Sequence, residues 1–136
     1  MSGSFPSRVV GQAFELTKPA VTTVQLVQYA GASLDFNRIH YDLPFAMESG
    51  LPGVIAHGML TMGFMAQCAT TWAGPGARVA RISARFTAPV RPGDSVRIRG
   101  TVKAKQDDGR LDCELTAQVG DKTVASGEVS LQWNFR

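Results

Sequence analysis

The sequence predicts an α+β protein in which a curved antiparallel sheet wraps around one long buried helix. Two observations predict it: one long segment without charged residues, and a C-terminal half that alternates between apolar and polar residues. The chain has 136 residues, which fits one domain, and we expect that domain to span residues 1–136. A chain of this length buries enough surface to fold without disulfide bonds.

The composition excludes several classes of protein. Hydrophobic residues make up 44% of the chain and charged residues 18%, as in globular proteins rather than disordered ones. There is no run of about 18 apolar residues to cross a membrane, and the first residues do not resemble a secretory signal. The net charge of +3 is too small for a nucleic-acid surface. We therefore expect a cytoplasmic protein with no nucleic-acid partner and no membrane span.

In the N-terminal half, residues 9–16 predict a short strand, and a helix is expected to follow. Thr22 or Thr23 is the expected N-cap of this helix, and Val24, Leu26 and Ala30 belong to it. Residues 33–53 are rich in Asp, Asn, Pro and Gly, so this segment is expected to be irregular.

The long uncharged segment covers residues 57–73 and ends at Gly74-Pro75-Gly76, which terminates a helix. At about 1.5 Å per residue the helix is roughly 25 Å long. Because it is apolar almost all round, it is predicted to be buried rather than to lie on a surface.

Period-two alternation predicts four strands in the C-terminal half, each with one buried face. Turns are expected at residues 91–94, at 107–109 and at 120–121, where Gly follows or precedes Asp. The predicted inward residues are, in chain order, Ala80, Ile82, Ala84, Phe86 and Ala88; Val96, Ile98, Val102 and Ala104; Leu111, Cys113, Leu115, Ala117 and Val119; and Ala125, Val129, Leu131 and Trp133.

A meander of this kind around one buried helix is the hotdog fold. An exposed sheet edge is normally paired or covered, so we expect two such domains side by side with their sheets joined. A homodimer is favoured, and a heterodimer with another hotdog subunit remains open.

Two residues in the irregular segment suggest chemistry. Asp35 and His40 lie five positions apart with no helical or strand period around them. A carboxylate and an imidazole that face the same space can share acid–base work on one water. Asn37 lies between them and can orient either group, although Asn and Asp in loops also simply form turns.

This segment resembles the motif of the MaoC-like (R)-specific enoyl-CoA hydratases and related dehydratases. Residues 56–59 (Ala-His-Gly-Met) and 85–94 also resemble that family, so the resemblance covers nearly the whole chain. Leu34 and Arg38 depart from it, since they replace a glycine and a proline. The motif positions are filled by Tyr29, Asp35, Asn37, Ile39, His40 and Ala46.

The resemblance implies that Asp35 and His40 activate a water that adds to a trans-2-enoyl thioester and gives a (3R)-hydroxyacyl product. It implies that Asn37 orients the substrate and that the amide of Gly58 receives the thioester oxygen. Gly58 could instead serve close packing between helix and sheet. His57 and Tyr29 are expected to support the site, although His57 could simply make a structural hydrogen bond near the helix start.

The substrate itself carries CoA or phosphopantetheine, so no separate cofactor is implied. No metal-ligand set is present in the sequence, and Cys68 and Cys113 are interpreted as small core residues. Arg78, Arg81, Arg85 and Arg91 are candidates for the CoA phosphates, and the sequence does not choose among them.

Other functions remain open on the same fold. Hotdog thioesterases commonly use an acidic residue on or facing the long helix, and residues 59–73 contain none. The chain could also be a non-catalytic subunit that binds acyl-CoA, or one subunit of a heterodimeric 3-hydroxyacyl dehydratase that acts on an acyl carrier protein.

Overall fold

The computed structural model describes residues 5–134 of the chain. Its sheet has five antiparallel strands in the order β1-β3-β4-β5-β2. The strands are β1 (Ala13–Thr17), β2 (Ala77–Phe86), β3 (Arg97–Lys105), β4 (Arg110–Val119) and β5 (Lys122–Trp133), and the helices are α1 (Thr23–Ser33), α2 (Leu43–Glu48) and α3 (Gly58–Ala73). The predicted α+β hotdog architecture is confirmed.

The long helix α3 packs one face into the core and leaves the other open. It ends at Gly74, whose φ of 81° is the left-handed backbone conformation that glycine adopts readily. Met59, on the opposite face, is 57% exposed. In a single chain the helix is therefore buried along one stripe rather than all round. The stripe consists of Leu60, Thr61, Phe64, Met65, Cys68, Ala69 and Ala73.

The inward face of β2 differs from the predicted one because the strand carries a bulge between Val79 and Arg81. The bulge places Ala80 on the exposed side, so Val79, Ile82 and Ala84 form the partly buried face. Phe86, at the end of this edge strand, is 46% exposed rather than buried. The inward residues predicted for β4 are confirmed, with Val119 only half-buried.

The segment from residue 33 to 53 is not irregular throughout, as predicted, because it contains a 3-10 turn at Arg38–His40 and helix α2. Asp42 caps α2, since its carboxylate accepts a hydrogen bond from the amide of Phe45 at 3.2 Å. Pro44 lies in the first turn, a position that proline favours. Aspartate two residues before proline was a usable signal for this helix.

The N-terminal elements follow the prediction with small shifts. Thr22 rather than Thr23 caps α1, and its hydroxyl accepts a hydrogen bond from the amide of Gln25. The first strand begins at Ala13, four residues later than predicted, and β3 begins at Arg97 instead of residue 95. Within residues 5–134, no helix combines the length and apolar character needed to span a membrane.

Candidate active site

The loop that carries Asp35 and His40 begins where α1 ends. Leu34 closes the helix in the left-handed conformation, with a φ of 63°, and its amide donates to the carbonyl of Ala30 at 2.9 Å. This conformation costs a residue other than glycine about 1 kcal/mol. Leu34 stands where the resembled motif has a glycine. It nevertheless adopts the left-handed backbone conformation that glycine adopts more readily. The hydroxyl of Ser33 then accepts a hydrogen bond from the amide of Asp35, which fixes the direction of the backbone at Asp35.

Asn37 makes its hydrogen bonds within the loop itself. Its backbone amide donates to Asp35 Oδ1 at 3.2 Å, and its side-chain Oδ1 accepts from the amide of Ile39 at 3.3 Å. The side chain therefore caps the 3-10 turn that contains His40. Asn37 thus sets the spacing between Asp35 and His40.

Arg38, the second departure from the resembled motif, is held in place by its neighbours. Its guanidinium forms an ion pair with Asp42 at 2.8 Å and lies over the ring of Phe45. The hydrogen bond from Arg38, helped by the amide of Phe45, lowers the pKa of Asp42. Where proline would stiffen the backbone, this chain ties the turn to the start of α2 by a side-chain contact.

His40 is buried and presents one ring nitrogen to the site. Its Nδ1 lies 2.7 Å from the carbonyl oxygen of Ile55, which can only accept, so Nδ1 carries the hydrogen. In the neutral ring, Nε2 then holds a lone pair. It lies 3.9 Å from Oδ2 of Asp35, too far for a direct hydrogen bond and close enough for one water to contact both atoms.

His57 contacts both His40 and Asp35. Its ring stacks on that of His40, with centroids 3.7 Å apart, and its Nε2 donates to the backbone carbonyl of Asp35 at 3.1 Å. The ring of Tyr29 meets His57 edge-on at 4.8 Å. Burial lowers the pKa of His57, the bond to Asp35 opposes that shift, and the nearby His40 adds a smaller lowering. The lowered pKa of His57 favours its neutral form, which places no positive charge against the ring of His40.

An apolar cavity of roughly 440 Å³ opens beside His40, and we name it the site cavity. Gly58, the first residue of α3, lies in its wall with its amide at the positive end of the helix dipole. A Cβ at Gly58 would lie 3.0 Å from the ring of Phe86. The full lining is His40, Leu51, Ile55, Ala56, Gly58, Thr61, Phe86, Thr87, Ala88, Pro89, Val90 and Val124.

Asp35, His40 and His57 could also be considered as metal ligands, because one ligand atom from each lies within 4.8 Å of the others. The two imidazole rings are only 22° from parallel, so their lone pairs do not converge on one point as tetrahedral coordination requires. The arrangement suits proton transfer better than metal binding.

The structure brings together all six sequence-predicted site residues, in one region around the end of α1 and the start of α3. Sequence reasoning missed the carbonyl of Ile55, which fixes the tautomer of His40, because every residue carries such a carbonyl. It also missed Phe86 as a wall of the site cavity, since alternation placed this ring in the core.

The two cysteines are buried as predicted, and burial raises the pKa of the Cys68 thiol to about 11 and of Cys113 to about 12.

A carboxyl group and an imidazole beside an apolar cavity define an acid–base site on a hotdog fold. The profile of MaoC-like domains matches residues 6–124. The chain is 34% identical over 123 residues to an (R)-specific enoyl-CoA hydratase of Rhodospirillum rubrum, covering 89% of this chain and 85% of the relative. It is 35% identical over 118 residues to a 3-hydroxybutyryl-CoA dehydratase of Methylorubrum extorquens, covering 84% and 74%. The chain therefore belongs to the MaoC-like family of hydratases and dehydratases.

Solved structures agree with this assignment. The R-hydratase PhaJ1 of Pseudomonas aeruginosa superposes with a TM-score of 0.87 at 29% identity, covering 98% of this chain and 86% of that chain. A chain of the ChsH1-ChsH2 complex of Mycobacterium tuberculosis superposes with a TM-score of 0.84 at 26% identity, covering 93% and 98%. Similar folds thus occur in an R-hydratase and in a complex of two different subunits.

Proposed function

We propose that this chain catalyses the reversible (R)-specific hydration of trans-2-enoyl-CoA to (3R)-hydroxyacyl-CoA. The observation that carries the proposal is the pair Asp35 Oδ2 and His40 Nε2, 3.9 Å apart beside the apolar site cavity. Both atoms accept hydrogen bonds, so one water can donate to each and present its own oxygen lone pair to the substrate. The similarity to the two curated relatives supports the same reaction.

In the proposed reaction, His40 Nε2 accepts one proton of this water while its oxygen bonds to C3 of the enoyl group. The hydrogen bond from Nδ1 to Ile55 stabilises the imidazolium that forms. Asp35 holds the water through its second hydrogen and faces the positive ring. The proton then passes to C2, so that one H and one OH have been added across the double bond.

Attack at C3 moves electrons onto the thioester oxygen, which needs a hydrogen-bond donor. The amide of Gly58 suits this role because it opens α3 and its residue has no side chain to shield it. His57, the N-cap of α3, makes no side-chain hydrogen bond to the first turn of the helix, and so does not compete for its amides. We therefore assign the thioester oxygen to the Gly58 amide.

Hydrolysis of the thioester is the main alternative on this fold. The described α3 contains no aspartate or glutamate to act from the helix. Addition of water to the double bond is favoured over attack at the carbonyl carbon.

The test is to mix the purified chain with crotonyl-CoA, follow the loss of enoyl-thioester absorbance, and determine the configuration of the product. We expect (3R)-hydroxybutyryl-CoA, and we expect longer enoyl-CoA homologues to react in the same way. Release of free CoA without a hydroxyacyl product would assign a thioesterase instead.

The assembly of the active protein belongs to the same proposal. We favour a homodimer in which each chain supplies one complete Asp35–His40 site. The similarity to a chain of a two-subunit complex, and to a hydratase beta subunit of Mycobacterium tuberculosis, supports a heterodimer as the alternative. In that case this chain is the catalytic half, because the described loop carries both proposed catalytic groups.

A further inference from the structure

We propose that Arg91 and Lys122 bind the phosphate end of the thioester substrate, in a second cavity that adjoins the site cavity. This inference rests on the proposed function, since it assumes a substrate whose thioester is attached to a phosphopantetheine arm. It selects one arginine from the four that the sequence left undecided, and it adds a lysine that sequence reasoning did not consider.

The second cavity, which we name the outer cavity, has a volume of roughly 330 Å³. It shares Pro89 and Val124 with the site cavity, so the two cavities lie on either side of these residues. The outer cavity is lined by Pro52, Pro89, Arg91, Asp94, Val119, Lys122 and Val124.

The two cavities differ in charge, and so do the two ends of the proposed substrate. The part of the chain that the structure describes places neither lysine nor arginine in the lining of the site cavity, which suits an acyl thioester and the uncharged pantetheine arm. The outer cavity holds two cations and one carboxylate. A substrate with its reacting carbons at His40 thus meets positive charge only beyond the shared wall, where its phosphates would lie.

Both cations are available for a ligand. Among residues 5–134, neither Arg91 nor Lys122 takes part in an ion pair. The nearby carboxylate of Asp94 accepts a hydrogen bond from the backbone amide of Arg91 at 2.9 Å, which closes the turn between them. The guanidinium is therefore left free for bidentate contact with a phosphate.

The backbone under Arg91 is fixed relative to the active site. The carbonyl of Val90 accepts the amide of Ala56 at 2.7 Å, which ties this segment to the residue before His57. On the other side, Gly93 donates to the carbonyl of Val21 at 2.7 Å, and Val21 donates back to Asp94 at 2.9 Å. The spacing between the cation and the catalytic loop is thus set by backbone hydrogen bonds.

The other candidate arginines lack this connection. Arg81 lines a different cavity of roughly 290 Å³, together with Asp112, Glu114 and Glu128, and that cavity shares no residue with the site cavity. Arg78 and Arg85 are exposed on β2 and line neither the site cavity nor the outer cavity. In that cavity the three carboxylates balance Arg81, Lys103 and Arg110, so it offers a phosphate no excess of positive charge.

The experiment compares three crotonyl thioesters that differ only in phosphate content: crotonyl-pantetheine, crotonyl-4′-phosphopantetheine and crotonyl-CoA. The wild type, Arg91→Gln, Lys122→Gln and the double variant are assayed with each. We expect KM for crotonyl-CoA to rise about 3-fold in each single variant and about tenfold in the double variant, relative to the change for crotonyl-pantetheine. The increase should shrink at high salt, since exposed charges are screened.

Arg99→Gln and Arg81→Gln are the matched controls, because each removes one exposed arginine outside both cavities. An increase with crotonyl-phosphopantetheine assigns the cations to the phosphate that CoA shares with acyl carrier proteins, and an increase with crotonyl-CoA alone assigns them to its nucleotide end. Equal changes for all three thioesters, or a larger change in Arg81→Gln, would overturn the proposal. If the wild type hydrates none of the thioesters, the proposed function fails instead.

Discussion

Each group of the Asp35–His40 pair is held by atoms that the proposed chemistry does not use. Asp35 is fixed through its backbone, by Ser33 and His57, and through Oδ1, by the amide of Asn37, which leaves Oδ2 toward His40. His40 is fixed through Nδ1, which leaves Nε2. The two atoms proposed to bind the water are therefore positioned before any substrate arrives, and this lowers the cost of ordering them during the proposed reaction.

Asp35→Asn and His40→Ala are each expected to reduce kcat by roughly 10²–10⁴-fold, because each removes a positioned acid–base group. Asn keeps the oxygen that accepts the amide of Asn37, so the loop should persist. Since both groups act on one water, the double variant should lose little more than either single variant. The measurement is crotonyl-CoA hydration kinetics together with thermal unfolding.

Asp107→Asn is the control for these variants, because it removes an exposed carboxylate in the turn between β3 and β4. Its rate should equal that of the wild type. A near-normal rate in either Asp35→Asn or His40→Ala would show that the roles are wrongly assigned.

His57 is expected to make stability depend on pH. Burial lowers the pKa of His57 in the folded chain, so below about pH 6.5 the unfolded chain binds a proton that the folded chain does not. Stability should therefore fall as pH falls from 7.5 to 5.5. Urea unfolding of the wild type and of His57→Gln at both values measures the difference.

In His57→Gln this part of the pH dependence should be absent, because glutamine has no ionisable group at this position. An equal loss of stability in the two proteins would mean that His57 is protonated in the folded chain.

Helix α3 contributes to both the core and the site, through different parts of the helix. One stripe of its side chains packs into the core, and its residues Gly58 and Thr61 line the site cavity. His57 precedes the helix and Gly58 opens it, so the start of one element fixes the supporting histidine and the proposed oxygen-binding amide together. Phe86, on β2, packs directly over Gly58 because this residue has no Cβ.

Gly58→Ala is expected to reduce kcat/KM by roughly 10- to 100-fold, because the added Cβ presses on the Phe86 ring and crowds the approach to the amide. The loss of stability should be small, since Phe86 is half exposed and can shift. Gly31→Ala in α1 is the control, because a Cβ there meets nothing within 4 Å. It should raise stability by about 0.5–1 kcal/mol and leave activity unchanged.

Hydration kinetics and urea unfolding of both variants separate the two effects. If Gly58→Ala keeps full activity, its amide does not receive the thioester oxygen and the glycine serves packing alone.

Among residues 5–134, the edges of the sheet and one side of α3 are not covered by other elements. Strands β1 and β2 form the two edges of the sheet, and β2 offers ten residues for pairing. The side of α3 that carries Met59 is also exposed. Because Phe86 at the end of β2 lines the site cavity, a second chain paired along this edge would approach the active site.

We expect the purified chain to form a dimer with a mass about twice 14.6 kDa, as measured by size-exclusion chromatography with light scattering. The dimer peak should contain the hydratase activity. An active, stable monomer would show that the site is complete without a second chain, and an inactive monomer that gains activity with another hotdog subunit would favour the heterodimer.

The sequence by itself determined the meander, the long helix with its Gly74 end, and the loop motif that carries Asp35, Asn37 and His40. These follow from periodicity, from local turn chemistry and from a resemblance carried by side chains, all of which are written in neighbouring residues. Only the tertiary structure decided four other features: the bulge in β2, the stacking of His57 on His40, the tautomer set by Ile55, and the residues shared by the two cavities. Each depends on a contact between residues distant in the chain or on a backbone atom that every residue has, so no local pattern could predict it.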